Sequence, residues 1–243
     1  MGGRNANKMA EEPYIGDTQN DSDDSAYRMP SLAVTRSVNT RYEPSYLPVA
    51  IIVGGTSGIG QHTAQALARY TKGNAHIIII GRNEAAAQNI IASFPKPSGS
   101  DARPGWKHEF VYCDVLLMKN VYATCESLSS RLDRVNFLVL SAGYLDFKGR
   151  EETEEGIDIK MALRYYSRWA FTKALLPLLR KAKNARQKAS VLSVLGAGWG
   201  PKIDLDDLEL KRNYTGLKCS FVTLTYNDLM VAVRATSFIN KFN

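Results

Sequence analysis

The stretch AIIVGGTSGIGQHTAQAL, residues 50–67, decides the fold of this chain. A short apolar run leads into three spaced glycines, and a pattern typical of a helix follows. Glycine permits a tight turn and the close approach of a ligand, and the first turn of a helix offers unpaired N–H groups to an anion. The context therefore predicts a dinucleotide site, and the alternative is a glycine-rich turn that binds nothing. The residues assigned to this cradle are Gly54, Thr56, Ser57, Gly58, Ile59 and Gly60.

Length and composition predict one large α/β domain that follows a polar arm. The chain has 243 residues, of which 44% are hydrophobic, enough for a sizeable core. Residues 1–48 are polar, show no sustained period and are predicted to be a disordered or weakly ordered arm. Residues 49–243 are predicted to form a single dinucleotide-binding domain. The formal charge of +7 is compatible with anionic ligands and does not by itself indicate nucleic acid.

Short β-branched runs alternate with longer segments of helical period, which predicts a doubly wound parallel sheet. The predicted strands cover residues 50–53, 75–80, 108–113, 136–140 and 190–195. The predicted helices cover residues 59–70, 84–94, 117–132, 157–183 and 214–233. On the first helix the period places Ile59, Ala66, Leu67 and Tyr70 on one face. Residues 236–240 are predicted to begin a sixth strand.

Residues just after the second and third strands bear on which cofactor binds. A site for NAD usually has Asp or Glu after the second strand, whereas an arginine there can pair with a 2′-phosphate. This chain has Arg82 and Asn83, which favours NADP(H) over NAD(H); the alternative is that Arg82 is a solvated loop residue. Asp114 and Val115 follow the third strand, where a carboxylate can reach an adenine amino group or can cap a helix.

These motifs resemble the short-chain dehydrogenase/reductase family over about residues 49–240. The family's TGxxxGxG matches at residues 54–60 with Val53 in place of threonine, and its NNAG is similar to LSAG, of which Ala142 and Gly143 match. VLSVLGAG and TYNDLM look most like fungal members among secondary-metabolite enzymes. The resemblance implies a Rossmann fold, a homodimer and transfer of hydride between NADP(H) and a small carbonyl or alcohol substrate.

The family's catalytic pair, YxxxK, occurs twice, at Tyr144 with Lys148 and at Tyr214 with Lys218. Tyr144 follows the fourth strand in a loop, whereas Tyr214 opens the helix after the fifth strand, as the family requires. The resemblance therefore implies that Tyr214 is the acid/base. Lys218, four residues on, would lower the pKa of the phenol and hold the ribose hydroxyls. The alternative is an ordinary surface tyrosine and lysine.

Two further family positions are altered. The serine expected at the end of the fifth strand aligns with Gly196, so Ser193 or a water molecule would have to replace it. The asparagine expected in the long helix falls at Arg164. The chain also ends 29 residues after Tyr214, without the family's last strand. A second hypothesis is therefore an impaired or non-catalytic NADP-binding protein, and a third is a truncated gene product.

Other function classes receive no support from the sequence. Residues 160–188 contain nine Lys/Arg and no acid, which we interpret as a solvated helix face. The three cysteines and three histidines are scattered, so no metal site is predicted. No apolar run approaches the length of about 18 residues that a membrane helix needs, and the N-terminus lacks a signal-peptide layout. We therefore expect a cytoplasmic protein without nucleic-acid or membrane partners.

Overall fold

The computed structural model describes residues 30–144 and 148–239. It divides into two compact units, Met1–Thr40 and Arg41–Asn243. In the first unit, α1 (Leu32–Thr40) is a single helix with no buried residue. In the second unit, Arg103 Nη1 donates to the carbonyl oxygens of Pro44 and, at 2.9 Å, of Tyr46. The arm predicted for residues 1–48, with a domain boundary after it, stays a prediction.

The second unit is built on a five-stranded sheet in which every pairing is parallel, in the order β3-β2-β1-β4-β5. The strands are β1 (Val49–Val53), β2 (His76–Gly81), β3 (Lys107–Tyr112), β4 (Phe137–Leu140) and β5 (Ser190–Ser193). The helices are α2 (Gly58–Tyr70), α3 (Glu84–Ala92), α4 (Met118–Arg131), α5 (Ile159–Met161), α6 (Ser167–Asn184) and α7 (Gly216–Ile239). A π-helical turn, Ala162–Tyr166, joins α5 to α6. The predicted Rossmann-type fold is confirmed.

Helices cover both faces of the central strands, which explains why β1 and β2 are continuous apolar runs. Ile51 and Ile78 point into a core formed with α4 and α6. The alternating residues Ile52 and Ile79 point into a second core formed with α2 and α3. Because the order reverses beside β1, whose neighbours are β2 and β4, a crevice opens at the carboxyl ends of these strands.

The predicted apolar face of α2 is correct at Leu67, which packs against the second core, and wrong at Ile59. Ile59 is 62% exposed, and the residues buried against the sheet are instead Gly60, Ala64 and Ala68. Small side chains allow the helix to lie close to β1, so the contact face follows size rather than hydrophobicity. Ile59 is left at the crevice.

The sixth strand predicted to begin at residues 236–240 does not form in the described part of the chain, because α7 continues through Ile239. A helix that is already nucleated gains one hydrogen bond for each further residue, which outweighs the modest β-propensity of Thr, Phe and Ile. The long helix predicted for residues 157–183 is also interrupted, by the π-helical turn. Within the described residues, no helix is long and apolar enough to cross a membrane.

A carboxylate on β3 makes the stability of the fold depend on pH. Glu109 accepts from His76 Nε2 at 2.7 Å, Arg131 Nη1 at 2.6 Å and Lys107 Nζ at 2.7 Å. Burial alone would raise the pKa of Glu109, but the hydrogen bonds and charges of Lys107, Arg131 and His76 outweigh it and lower the pKa from 4.5 to about 2.

We expect this cluster to stabilise the fold fully above pH 4.5 and to lose that contribution as the pH falls towards 2, since the unfolded carboxylate binds its proton first. Glu109→Gln should therefore lower the free energy of unfolding at pH 7 by about 2 kcal/mol and flatten its acid dependence. Denaturant unfolding across this pH range measures both. The exposed Glu126→Gln on α4 is the control, and an equal effect of both substitutions would contradict the assignment.

Candidate functional site

A cavity of about 480 Å³ lies at the carboxyl ends of the strands, beside the glycine-rich turn. Every residue predicted to bind the cofactor lines it except Gly60 and Asn83. The predicted residues at its wall are Gly54, Thr56, Ser57, Gly58, Ile59, Arg82, Asp114, Val115, Ala142 and Gly143. The structure thus brings together positions from four separate loops.

The turn after β1 requires glycine at position 54. Its φ is +85°, which L side chains rarely adopt, and a Cβ there would lie 2.6 Å from the Cα of Ala142. The Gly54 N–H donates to the carbonyl oxygen of Ile80 at 2.9 Å. Gly58 also has a positive φ, +55°, at the first residue of α2. The backbone of this turn therefore lies against β4 and leaves the start of α2 open to the cavity.

Ser141 holds β4 to this turn. Its Oγ donates to the carbonyl oxygens of Val53 at 3.1 Å and Gly54 at 3.3 Å, and its N–H donates to Val53 at 2.9 Å. The hydroxyl of Ser141 thus hydrogen-bonds to the glycine-rich turn at a position where the resembled family has an asparagine. Ser141 is not among the predicted site residues, although a polar residue directly after an apolar strand was the signal for it.

Gly60 and Asn83 support the cavity from outside its wall. A Cβ on Gly60 would overlap Ser141 Oγ and the carbonyl oxygen of Gly54, so this glycine lets α2 approach the turn. Asn83 caps α3, its Oδ1 accepting from the N–H of Ala86 at 2.9 Å. Both residues fix the positions of loops that reach the cavity.

Arg82 and Asp114, the two residues from which the choice of cofactor was predicted, both line the cavity. Arg82 is exposed and forms no ion pair among the residues that the structure describes. Asp114 Oδ1 accepts from the N–H of Leu116 at 3.1 Å. Asp114 does not cap α4, because the first N–H groups of that helix, at Met118 and Lys119, donate to Glu155 at 2.6 and 2.9 Å. The alternative interpretation of Asp114 as a helix cap is therefore wrong.

Tyr214 does not line this cavity. Its hydroxyl donates at 3.1 Å to Oδ1 of Asp158, which is 1% exposed and also accepts from the N–H groups of Lys160 and Met161 at the start of α5. Burial, followed by the neighbouring Cys219 and Asp158, raises the pKa of Tyr214 above its ordinary value. The phenol is therefore protonated at neutral pH.

The two YxxxK pairs occupy different places. Lys218 lies half-buried in the first turn of α7, where its N–H donates to Thr215 Oγ1 at 3.0 Å, and it is absent from the cavity wall. Tyr144 of the other pair lines the cavity, and Lys148 is exposed nearby in sequence. Tyr144 was not predicted to be catalytic because it lies in a loop, yet that loop position is what brings it to the crevice.

Ser193 is committed to other partners. Its Oγ donates to Asn227 Oδ1 at 2.9 Å and accepts from Arg168 Nη1 at 2.7 Å. It lines a separate groove between β5, α6 and α7 and not the glycine-rich cavity. Ser193 thus does not replace the hydroxyl missing at Gly196.

Residues 160–188 do not form a uniformly solvated face, which corrects the sequence interpretation. Lys160 and Arg168 are each 3% exposed, and both donate to backbone carbonyl oxygens, that of Gly149 in the case of Lys160 and that of Leu140 in the case of Arg168. Arg164 is half-buried, and its guanidinium donates to Thr223 Oγ1 at 3.0 Å and to a backbone carbonyl of α7. Lys160, Arg164 and Arg168 therefore connect this stretch to other parts of the fold through hydrogen bonds.

Comparison with known proteins places this site in a family. The family model for short chain dehydrogenase matches residues 48–197. Oxidoreductase AN1596 of Emericella nidulans is 38% identical over 198 residues, which cover 79% of this chain and 56% of that protein. Oxidoreductase andH of Emericella variicolor is 34% identical over 220 residues, covering 88% of this chain and 62% of that protein. The chain thus spans little more than half the length of these two relatives.

Solved structures agree on the fold. A short chain dehydrogenase from Escherichia coli, complexed with NADPH, superposes with a TM-score of 0.56 at 18% identity, covering 79% of this chain and 71% of that one. An oxidoreductase, yciK, from the same species gives 0.58 at 19% identity, covering 82% and 75%. Because the family model matches more than half of its length, the chain belongs to the short chain dehydrogenase family.

Proposed function

We propose that the chain binds NADP(H) in the glycine-rich cavity and transfers hydride between it and a small carbonyl or alcohol substrate. Membership of an oxidoreductase family supports the reaction class. The observation that carries the proposal is the cradle itself, in which Gly54 leaves no room for a Cβ and the start of α2 faces the cavity. The Escherichia coli structure that shares the fold is complexed with NADPH, which supports the choice of cofactor.

The residues at the wall suit the parts of such a cofactor. Backbone N–H groups at the start of α2, near Ser57 and Gly58, would hold the diphosphate. Arg82 would pair with a 2′-phosphate, and Asp114 would accept from the adenine amino group. Ala142 and Gly143 would lie beside the nicotinamide half of the cofactor. When bound, the reduced cofactor supplies the hydride.

Tyr214 and Lys218 are proposed as the acid/base and its electrostatic partner. The hydrogen bond to Asp158 keeps the proton on Tyr214, which is the state from which an acid can protonate a reduced carbonyl oxygen. To do so, the hydroxyl must exchange Asp158 for the substrate. Lys218 would then stabilise the phenolate that remains.

A second candidate function is binding of NADP(H) without turnover. Gly196 offers no hydroxyl, Ser193 is bound to Arg168 and Asn227, and Tyr214 is bound to Asp158 outside the cavity. These contacts leave the cradle intact while removing the expected proton donors from it. A role in fungal secondary metabolism, a homodimer and a cytoplasmic location are further proposals that rest on the family resemblance.

Selectivity between NADPH and NADH tests the cofactor proposal. We expect the protein to bind NADPH more tightly, and Arg82→Ala to weaken NADPH binding about tenfold or more while leaving NADH binding unchanged, because only NADPH carries the 2′-phosphate. Isothermal titration with both cofactors measures this. Arg69→Ala, at the far end of α2, removes an equal charge and should alter neither affinity. Equal weakening of both cofactors by Arg82→Ala would refute the assignment of Arg82 to the phosphate.

A further inference from the structure

Two arginines one helical turn apart, Arg164 and Arg168, are charged groups without a carboxylate partner among the described residues. The guanidinium of Arg164 donates to the hydroxyl of Thr223 and to the carbonyl oxygen of Ser220, both on α7. Arg168 is almost fully buried, and all its acceptors are neutral. They are the carbonyl oxygens of Leu140 and Ala142 at 2.9 Å, Ser193 Oγ at 2.7 Å and the carbonyl oxygen of Val194 at 3.2 Å.

Both side chains stay charged at neutral pH. Burial, helped by the charge of Arg164, lowers the pKa of Arg168 to about 10, and burial also lowers the pKa of Arg164. A guanidinium with a pKa near 10 still carries its proton at pH 7. Three carbonyl oxygens and one hydroxyl accept from Nη1 and Nη2 of Arg168, and its buried Nε has no hydrogen-bond partner among the described residues. None of these groups supplies net negative charge. The region therefore holds two permanent positive charges in a poorly solvated place.

The guanidinium of Arg168 lies directly behind the wall of the cavity. Two of its acceptors, Ala142 and Val194, line that wall at the carboxyl ends of β4 and β5. A Cβ added to Gly143, another lining residue, would come within 4.0 Å of Arg168 Nη2. Leu163, the residue before Arg164, also lines the cavity.

This end of the cavity lies opposite the end proposed to take the adenosine half. In doubly wound sheets a dinucleotide crosses the point where strand order reverses, so that its adenosine half lies near the second strand. With Arg82 and Asp114 on the β2 and β3 side, the nicotinamide half falls on the β4 and β5 side, next to Arg168. This placement rests on the proposed function.

We propose that Arg168, assisted by Arg164, determines which redox form of the cofactor the site prefers. The oxidised nicotinamide ring carries a positive charge and the reduced ring is neutral, whereas the rest of the molecule is the same in both forms. A buried cation behind the ring therefore repels only the oxidised form, in a medium that screens charge weakly. The site takes up NADPH and releases NADP⁺, which suits reduction of a carbonyl.

The ratio of the dissociation constants of NADP⁺ and NADPH measures this preference for one redox form. We expect the protein to bind NADPH about tenfold more tightly than NADP⁺, and Arg168→Gln to reduce this ratio towards one. Arg168→Lys removes the planar set of donors but keeps the charge, so the ratio should remain within about threefold of its original value. A purely structural role for Arg168 would affect both variants, and both redox forms, alike. Lys173→Gln, on the exposed side of α6, is the control for loss of one charge.

Arg164→Gln provides a second variant if Arg168→Gln does not fold, because a glutamine can still donate to the partners on α7. It should lower the ratio by about threefold, a smaller effect than that of Arg168→Gln, since the partners of Arg164 on α7 do not line the cavity whereas two acceptors of Arg168 do. Equal affinities of the unmodified protein for NADPH and NADP⁺, or a ratio unchanged in both glutamine variants, would overturn the inference and leave the proposed function standing. Binding of neither form would overturn both.

Discussion

Gly54→Ala is expected to weaken NADPH binding by about a hundredfold or more, because this position has no space for a Cβ. The added atom would lie 2.6 Å from the Cα of Ala142 and 2.9 Å from the carbonyl carbon of Ser141, both backbone atoms that cannot rotate away. The residue would also be held at a φ of +85°, which strains an L side chain by about 1–3 kcal/mol. The turn must therefore move, and the start of α2 moves with it.

The same substitution at Gly149 is a matched control. A Cβ there meets nothing within 4 Å, and the residue does not line the cavity. Gly149→Ala should keep both the affinity for NADPH and the unfolding midpoint of the unmodified protein. Titration calorimetry and thermal unfolding measure the two quantities. Retention of NADPH affinity within about threefold by Gly54→Ala would show that the turn is not the cradle.

Tyr214→Phe is expected to reduce NADPH-dependent reduction of apolar ketones by about a hundredfold or more while leaving the affinity for NADPH unchanged. The substitution removes the only atom of the side chain that exchanges protons. It also takes away one donor to Asp158, which should lower the free energy of unfolding by about 1 kcal/mol. The loss of activity should therefore far exceed what the loss of stability explains.

Tyr226→Phe is the control that distinguishes a catalytic role of Tyr214 from a structural one. Tyr226 lies on α7, the helix that begins two residues after Tyr214, is 8% exposed and donates at 2.8 Å to the carbonyl oxygen of Leu208, so its hydroxyl has a comparable structural role. Its variant should lose similar stability and keep full turnover. If Tyr214→Phe behaves in the same way as Tyr226→Phe, Tyr214 is a structural residue and the second candidate function, binding without turnover, gains support.

The sequence predicted the fold and the glycine-rich turn between β1 and α2 because both depend on local patterns. An apolar strand, spaced glycines and a helix follow one another within residues 50–67, and the sheet places each following loop at the same edge. Arg82 and Asp114 lie at the cavity because they come directly after β2 and β3. Their positions could be predicted without knowing which residues far apart in the chain are in contact.

The remaining features depend on contacts between residues far apart in the chain. The bond from Tyr214 to Asp158 spans 56 residues, and those from Arg168 to Leu140 and Ser193 span 28 and 25. Spacing within one helix gives no sign of such partners. The basic stretch was interpreted from charge alone, which cannot distinguish a solvated arginine from one that satisfies buried carbonyl oxygens.

Titration of the unmodified protein with NADPH tests the central claim most directly. The proposed cradle predicts saturable, equimolar binding with a dissociation constant in the micromolar range, and a rise in the unfolding midpoint as the NADPH concentration increases. A cooperatively folded protein that shows neither heat of binding nor a shift of its midpoint at about 1 mM NADPH would contradict the account.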